Sequence, residues 1–444
     1  MGEIIKTIFG ATAGPLMLVL GLLVFIYLLN LMNIDPGPIF SVMVALTPIW
    51  LPITLFYLTF DRWMYYIQNK FAANQGRSTL RIHLPQNVFK SPEAMESVIS
   101  QIHNVNSPDN LMQTYLDGKH PLTFSFELVS TGGEVRFYIN VPTKKTKNAL
   151  EAQLYAQYPG IEVVEEDIDY TDEIPWDPER YEYMAFHMGK KEDEIFPIKT
   201  YIDFGLDKLP KEEEKFEPMA AMLEQLGKVK PHERVWIQIL AVPHVKKVFK
   251  NGHLTETPTW DKKAIAKINE ILKRDQRPDP DSETYERAPM LTMNERDTIA
   301  AIERNIGKYA YEVGIRWLYI TEKGKFDGDL ISPTLRSFSQ YDIIGRNGLS
   351  PRWRTDFDYK MFSDPKGRRI KKWKEQELGL YKGRVYYHRD RVGGADAMKV
   401  FSAEELATIY HIPGTSVVTP SLPRITSARK EAPSNLPTGL ATGI

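Results

Sequence analysis

The sequence predicts an α+β protein in which a transmembrane helical hairpin precedes two domains of split βαβ type. Three observations predict it. From Gly10 to Phe60 the only ionised side chain is Asp35. Beyond Asp61 charges and aromatics are plentiful, and hydropathy alternates with period two or recurs at helical spacing. From Thr79 these patterns follow the order strand, helix, strand, strand, helix, strand.

Ala11 to Met32 is an uncharged run of 22 residues. As a helix it would be roughly 33 Å long, enough for a hydrocarbon core of about 30 Å. It is longer than the apolar core of a secretory signal. Gly37 to Phe60 is a second uncharged run, with Asn33-Ile34-Asp35-Pro36 as a tight turn between the two and Pro48 and Pro52 as expected kinks. Lys6 precedes the pair, and Arg62, Lys70, Arg77 and Arg81 follow it. Positive flanks on one side place both termini in the cytoplasm, at the cell's inner membrane.

In the first soluble domain (residues 76–170), Thr79 to Leu84 alternates as a strand. Ser91 and Pro92 then open a helix running to about Val105. Leu122–Ser130 and Val135–Val141 alternate around Thr131-Gly132-Gly133-Glu134, a hairpin turn. Thr143 to Tyr158 is an amphipathic helix, with Leu150, Leu154 and Tyr155 on one face, and Ile161 to Val164 a last strand. That order is ferredoxin-like. Residues 171–195 are acidic and read as a linker. Residues 196–412 read as a second, elaborated α/β domain, with strands at Ile198–Phe204, Val235–Val242 and Tyr309–Thr321. Its helices fall near Glu217–Leu226, Trp260–Lys273, Asn294–Ile306 and Pro333–Tyr341. Ser402, with Glu405 three residues on, makes a capping box for a short helix to His411. Residues 413–444, rich in Pro, Ser, Thr and Ala, form a flexible tail.

No cysteine is present, which excludes disulfides and thiolate chemistry. A net charge of −1 gives no global pull toward polyanions, so any such binding must be local. No phosphate-binding glycine loop, zinc-protease, hydrolase or kinase signature occurs, and the nine histidines are scattered singly. The expectation is a non-enzymatic chain with no catalytic residue, cofactor or metal. One local field is basic. Arg346, Arg352, Arg354, Lys366, Arg368, Arg369, Lys371 and Lys372, with Lys360 and Lys374, are interleaved with Trp353, Phe357, Tyr359, Phe362 and Trp373. Cations at this density attract phosphates, and the aromatics can stack on bases. The same strip also suits lipid head groups, an acidic partner, or solvent alone.

Two stretches carry a likeness. Ser130-Thr131-Gly132-Gly133-Glu134, Arg136-Phe137-Tyr138 and Glu151-Ala152-Gln153-Leu154-Tyr155-Ala156-Gln157-Tyr158-Pro159 form the first. Phe401 to Pro413, then Thr419-Pro420 and Ala432 to Pro437, form the second. They resemble the N-terminal membrane and adaptor region of type IV secretion (conjugative-transfer) coupling proteins and related DNA-pumping ATPases. In that family the ATPase follows this region, whereas here the chain ends seven residues after Pro437 with no motor motif. The resemblance implies a membrane-anchored scaffold or adaptor that docks a separate P-loop ATPase and assembles as a homo-oligomer. A structural protein of an envelope or virus-like assembly is the alternative.

Overall fold

The computed structural model describes residues 36–425 apart from 87–89, 104–107, 109, 145, 209–216, 245–246, 251–252, 257–259, 273–290, 357–363, 365, 387–397 and 415–421. Two helices come first, α1 (Pro36–Ala45) and α2 (Thr47–Gln75). Then follow β1 (Arg77–Pro85), α3 (Pro92–Ile102), α4 (Leu111–Tyr115), β2 (Phe124–Thr131), β3 (Glu134–Pro142), α5 (Thr146–Gln157) and β4 (Glu162–Glu165). The second half adds β5 (Tyr181–Lys190), α6 (Ala220–Gly227), β6 (Glu233–Pro243), a small hairpin of β7 (Lys247–Lys250) and β8 (His253–Glu256), α7 (Trp260–Ile271) and α8 (Met293–Ile306). It closes with β9 (Ala310–Glu322), α9 (Ile331–Arg336), β10 (Leu349–Arg354), α10 (Arg368–Lys382), β11 (Lys399–Ser402), α11 (Ala403–Ile409) and β12 (Arg424–Ile425).

The transmembrane hairpin is corrected at its second span. The apolar run from Gly37 to Phe60 is not one helix. It is interrupted at Leu46, ahead of Pro48, whose ring removes an N–H donor and restricts the residue before it. The shorter piece, α1, has 10 residues. The longer, α2, continues past the apolar run into sequence bearing Arg62 and Lys70. No described helix is long and apolar enough to cross a membrane. The first expected span, Ala11–Met32, lies outside the described residues. The two-span placement in a cell membrane with cytoplasmic termini rested on the hairpin and falls with it.

Ten strands make one sheet, in the order β10-β5-β9-β6-β2-β3-β1-β12, with β11 also on β9 and β4 also on β1. Every pairing is antiparallel except the short β1–β12 contact. Read by strand position, β4-β1-β3-β2 and β10-β5-β9-β6 are both 4-1-3-2 orders, the arrangement of a βαββαβ unit. The two units meet edge to edge where β2 pairs β6 from Phe124↔Ala241 to Thr131↔Arg234. The chain between them is not a linker. Residues 181–190, read as part of an acidic connection, form β5, buried along nearly its whole length. Apart from Glu182 the acids of that connection flank the strand, and the central Tyr183-Met184-Ala185-Phe186 is apolar. The expected strand at Ile198–Phe204 is instead a succession of turns beginning at Tyr201.

Alternation along the strands builds two cores. One face carries Phe126, Leu128, Ile237, Ile239, Ile315, Trp317 and Phe186, covered by Met95 and Ile99 of α3, Leu150 and Leu154 of α5, Leu223 of α6 and Leu406 of α11. The other carries Val129, Tyr138, Ala185, Trp236, Leu318 and Ile320, covered by Tyr170, Ile174 and the α10 residues Leu378 and Tyr381. The Ser402–Glu405 capping box opens α11 in both directions. At the β2–β3 turn, Gly132 and Gly133 both take positive φ, and a Cβ on Gly133 would lie 2.9 Å from the Gly227 carbonyl oxygen. Gly133→Ala should therefore destabilise the fold by at least about 1–2 kcal/mol, measured by urea unfolding.

Candidate partner-docking site

The second face of the sheet carries a transverse polar row. Tyr138 stands opposite Glu127, Glu127 opposite Gln238, Gln238 opposite Arg316, and Arg316 opposite His187. These are the residues that strict alternation turns away from the larger core. They are buried all the same, because α10 and the segment around Tyr170 lie over them.

Each charge in the row has its counter-charge. Arg384 donates from Nε to Glu127 Oε1 at 3.1 Å and from Nη2 to Glu127 Oε2 at 3.3 Å, and the same Nη2 lies 2.6 Å from Asp169 Oδ2. Gln238 donates to Glu127 at 3.1 Å, and Tyr170 donates to Glu127 at 2.7 Å. Farther along, Glu377 of α10 sits 3.2 Å from Arg316 Nε and 2.9 Å from His187 Nε2. Buried groups of this kind persist only when paired. Burial raises the Asp169 carboxyl, but the Arg384 charge with hydrogen bonds from Thr79 and Thr171 outweighs it, holding the group below the ordinary range. Burial pushes the Tyr170 and Tyr381 hydroxyls far up, so both stay neutral and share a 2.9 Å hydrogen bond. The net result is an ionic clasp holding α10 on the sheet.

That clasp places the expected basic strip, and it also divides it. Arg368, Lys371 and Lys372 are exposed on the first turns of α10, with Lys366 exposed just before them. Arg369 lies over the Trp373 ring at 5.7 Å, and Lys374 pairs with Asp356 at 2.8 Å. Trp353 of β10 packs on Trp373, centroids 5.6 Å apart. Its neighbours do not join it: Arg352 donates to the Lys190 carbonyl, and Arg354 lines a groove beside α9. Arg346 pairs with Asp203 at 3.8 Å, away from α10. Phe357, Tyr359, Lys360 and Phe362 lie outside the described residues. Lys366, Arg368, Arg369, Lys371 and Lys372 are thus brought together, and Arg346, Arg352 and Arg354 are not part of that cluster.

The α10 cluster opposes its own helix. No acid occupies the first turn, the capping position is Gly367 with no side chain to offer, and four cations fall in the first five residues. Helix N-termini carry partial positive charge, so each such cation is unfavourable by roughly 0.3–1 kcal/mol. Asp364 Oδ2 partly compensates by accepting from the Arg369 and Ile370 N–H groups at 2.9 and 3.1 Å.

A further buried ion pair and a buried histidine–carboxylate contact are not visible in the sequence patterns. Lys190 Nζ lies 2.8 Å from Glu405, both fully buried. Burial lowers the Lys190 ammonium against the opposing pull of Glu405. His411 faces the Ala407 carbonyl through Nδ1 at 2.9 Å and Glu217 through Nε2 at 2.6 Å. Burial raises the Glu217 carboxyl, and His411 with the Met219 and Gly414 N–H groups overcomes this to leave it low. The capping signature named Glu405, but nothing local in the sequence pointed to its lysine partner 215 residues away. Among the described residues, no group of three or more His, Asp or Glu side chains could hold a metal ion.

No curated protein and no solved structure matches the chain, so neither comparison connects it with type IV secretion coupling proteins. A family profile described as a domain of unknown function (DUF8128) matches residues 68–343, from the last turns of α2 to just before β10. With more than half of its length matched, the chain belongs to the DUF8128 family.

Proposed function

We propose that the chain is a non-catalytic adaptor that docks an acidic partner protein on the exposed cations of α10. One observation carries this reading: Arg368, Lys371 and Lys372 are held in the open at the positive end of a helix dipole. An approaching acidic surface relieves that repulsion, so docking is favoured beyond the pairwise contacts. The ionisable groups under α10 support a binding role over a catalytic one, since they pair with one another under the helix rather than facing a cleft. On the resemblance to coupling proteins, the partner is the motor ATPase of a transfer machine, and the adaptor works as a homo-oligomer.

The test is affinity capture of the full chain beside Arg368→Glu/Lys371→Glu/Lys372→Glu, with mass spectrometry of what each retains. Recovery of an ATP-hydrolysing partner, weakened about tenfold or more in the variant and falling with salt, is expected. Equal recovery by both proteins overturns the reading. Tight duplex DNA binding with a steep salt slope, and no protein partner, replaces it with nucleic-acid binding.

A further inference from the structure

The two βαββαβ units are not covered equally. In the first, the helix between the third and fourth strands is α5, with 12 residues and fully buried Leu150 and Leu154. In the second, the same place in the order is held by α9, with six residues of which only Thr334 is buried. The 3-10 turn that follows it, Ser337–Tyr341, adds the buried Phe338 and Tyr341 to that layer, while α9 itself stays largely at the surface. Beside it runs an open groove of about 450 Å³ with a floor of Met184, Phe186 and Leu349 and a wall including Leu335. Its rim bears Arg336 and Arg354, both exposed. Arg336 has no ion-pair partner among the described residues. A third cation on the rim, Lys191, is paired with Asp342.

We infer that this groove is an anchor pocket for an acidic segment of a partner protein, taking one bulky apolar side chain between α9 and β10. The inference rests on the adaptor reading and gives that partner its recognition element. The chemistry is matched on both counts. The volume falls within the range of about 300–1,000 Å³ typical of pockets that enclose small ligands, and the lining is mainly apolar. The rim is cationic, so carboxylates beside the anchor meet guanidinium groups capable of two-pronged hydrogen bonding. Arg354 reaches the groove from the edge strand β10, on the face opposite α10, since Trp353, the residue before it, points the other way and packs on Trp373.

The experiment uses the full chain and two fluorescein-labelled peptides, Glu-Glu-Phe-Glu-Glu and its alanine counterpart Glu-Glu-Ala-Glu-Glu, read by fluorescence anisotropy. The phenylalanine peptide is expected to bind about tenfold or more tightly than the alanine one, the increment of a buried aromatic side chain. Ser332→Trp, at an exposed position on the groove, should fill the pocket and erase that preference. Arg336→Glu should weaken both peptides. Equal binding of the two peptides to the unaltered chain overturns the inference whatever the variants do, and so does a preference that survives Ser332→Trp in a protein of unchanged melting temperature. The triple α10 variant separates this from the adaptor reading. If it keeps the phenylalanine preference but also keeps every captured partner, the groove stands and α10 docking falls. If it loses its partners while the unaltered chain ignores the phenylalanine, α10 docking stands and the groove falls.

Discussion

Lys190→Ala is expected to lower the unfolding free energy of the sheet unit by about 3–5 kcal/mol. The lysine is fully buried, with its ammonium on Glu405 at 2.8 Å and on the Glu194 carbonyl at 3.0 Å. Removing it does not remove its partner. Glu405 remains at the head of α11, accepting from the Ser402 and Ile198 N–H groups at 2.9 Å each, and among the described residues its charge has no other ion-pair partner. Lys190→Met/Glu405→Gln should recover most of the loss. The methionine fills the aliphatic path over the Phe401 ring, and the amide oxygen can still accept a hydrogen bond at the helix start. Urea unfolding of the three proteins checks this. A double variant no more stable than Lys190→Ala would overturn the stranded-carboxylate account.

What could be read in the sequence was the local half of the fold. Alternation in Phe124–Ser130 and Val135–Val141 gave the central hairpin and its turn, because one strand's pattern is complete within a few residues. The same alternation misled about exposure. Glu127 occupies a position that sequence assigns to solvent, yet it is buried under Arg384 and Tyr170, and Arg384 enters 257 residues later. The acidic segment at 171–195 concealed β5 for a related reason: apart from Glu182 its acids flank the strand, and the apolar centre is short. The apolar run at Gly37–Phe60 was long enough on composition alone, but Pro48 acts on backbone geometry, which an average of hydropathy does not register. For the candidate site, the basic strip was legible as a cluster of charges. Its division between α10, the β10 edge and Asp203 was not, since that depends on which side of a pleated strand each residue takes.

Arg384 joins the clasp from a strained position, and its replacement should expose both sides of that bargain. It is the only described non-glycine residue with positive φ, at 51°. Such a conformation is unfavourable for an L-residue by roughly 1–2 kcal/mol. The chain reaches it immediately after α10, and in return the guanidinium spans Glu127 and Asp169. Arg384→Ala keeps most of the strain and strands two carboxylates, so a loss of about 3–5 kcal/mol is expected. Arg384→Gly strands the same groups but relaxes the backbone, so it should be the milder change by about 1 kcal/mol. The pH dependence provides an independent reading. Asp169 is held below its unfolded value, so its contribution is complete above the ordinary carboxylate range of about 3.9 and is lost as pH falls through the lower folded value. Without Arg384 that depression goes. The stability gap between the unaltered protein and Arg384→Gly should therefore be widest near neutrality and narrow as the solution is acidified below about pH 4. A gap that stays constant from pH 7 to pH 3 would mean that Arg384 holds α10 by packing alone. Charge coupling between the sheet and the helix that presents the docking cations would then rest on Glu377 with Arg316 and His187.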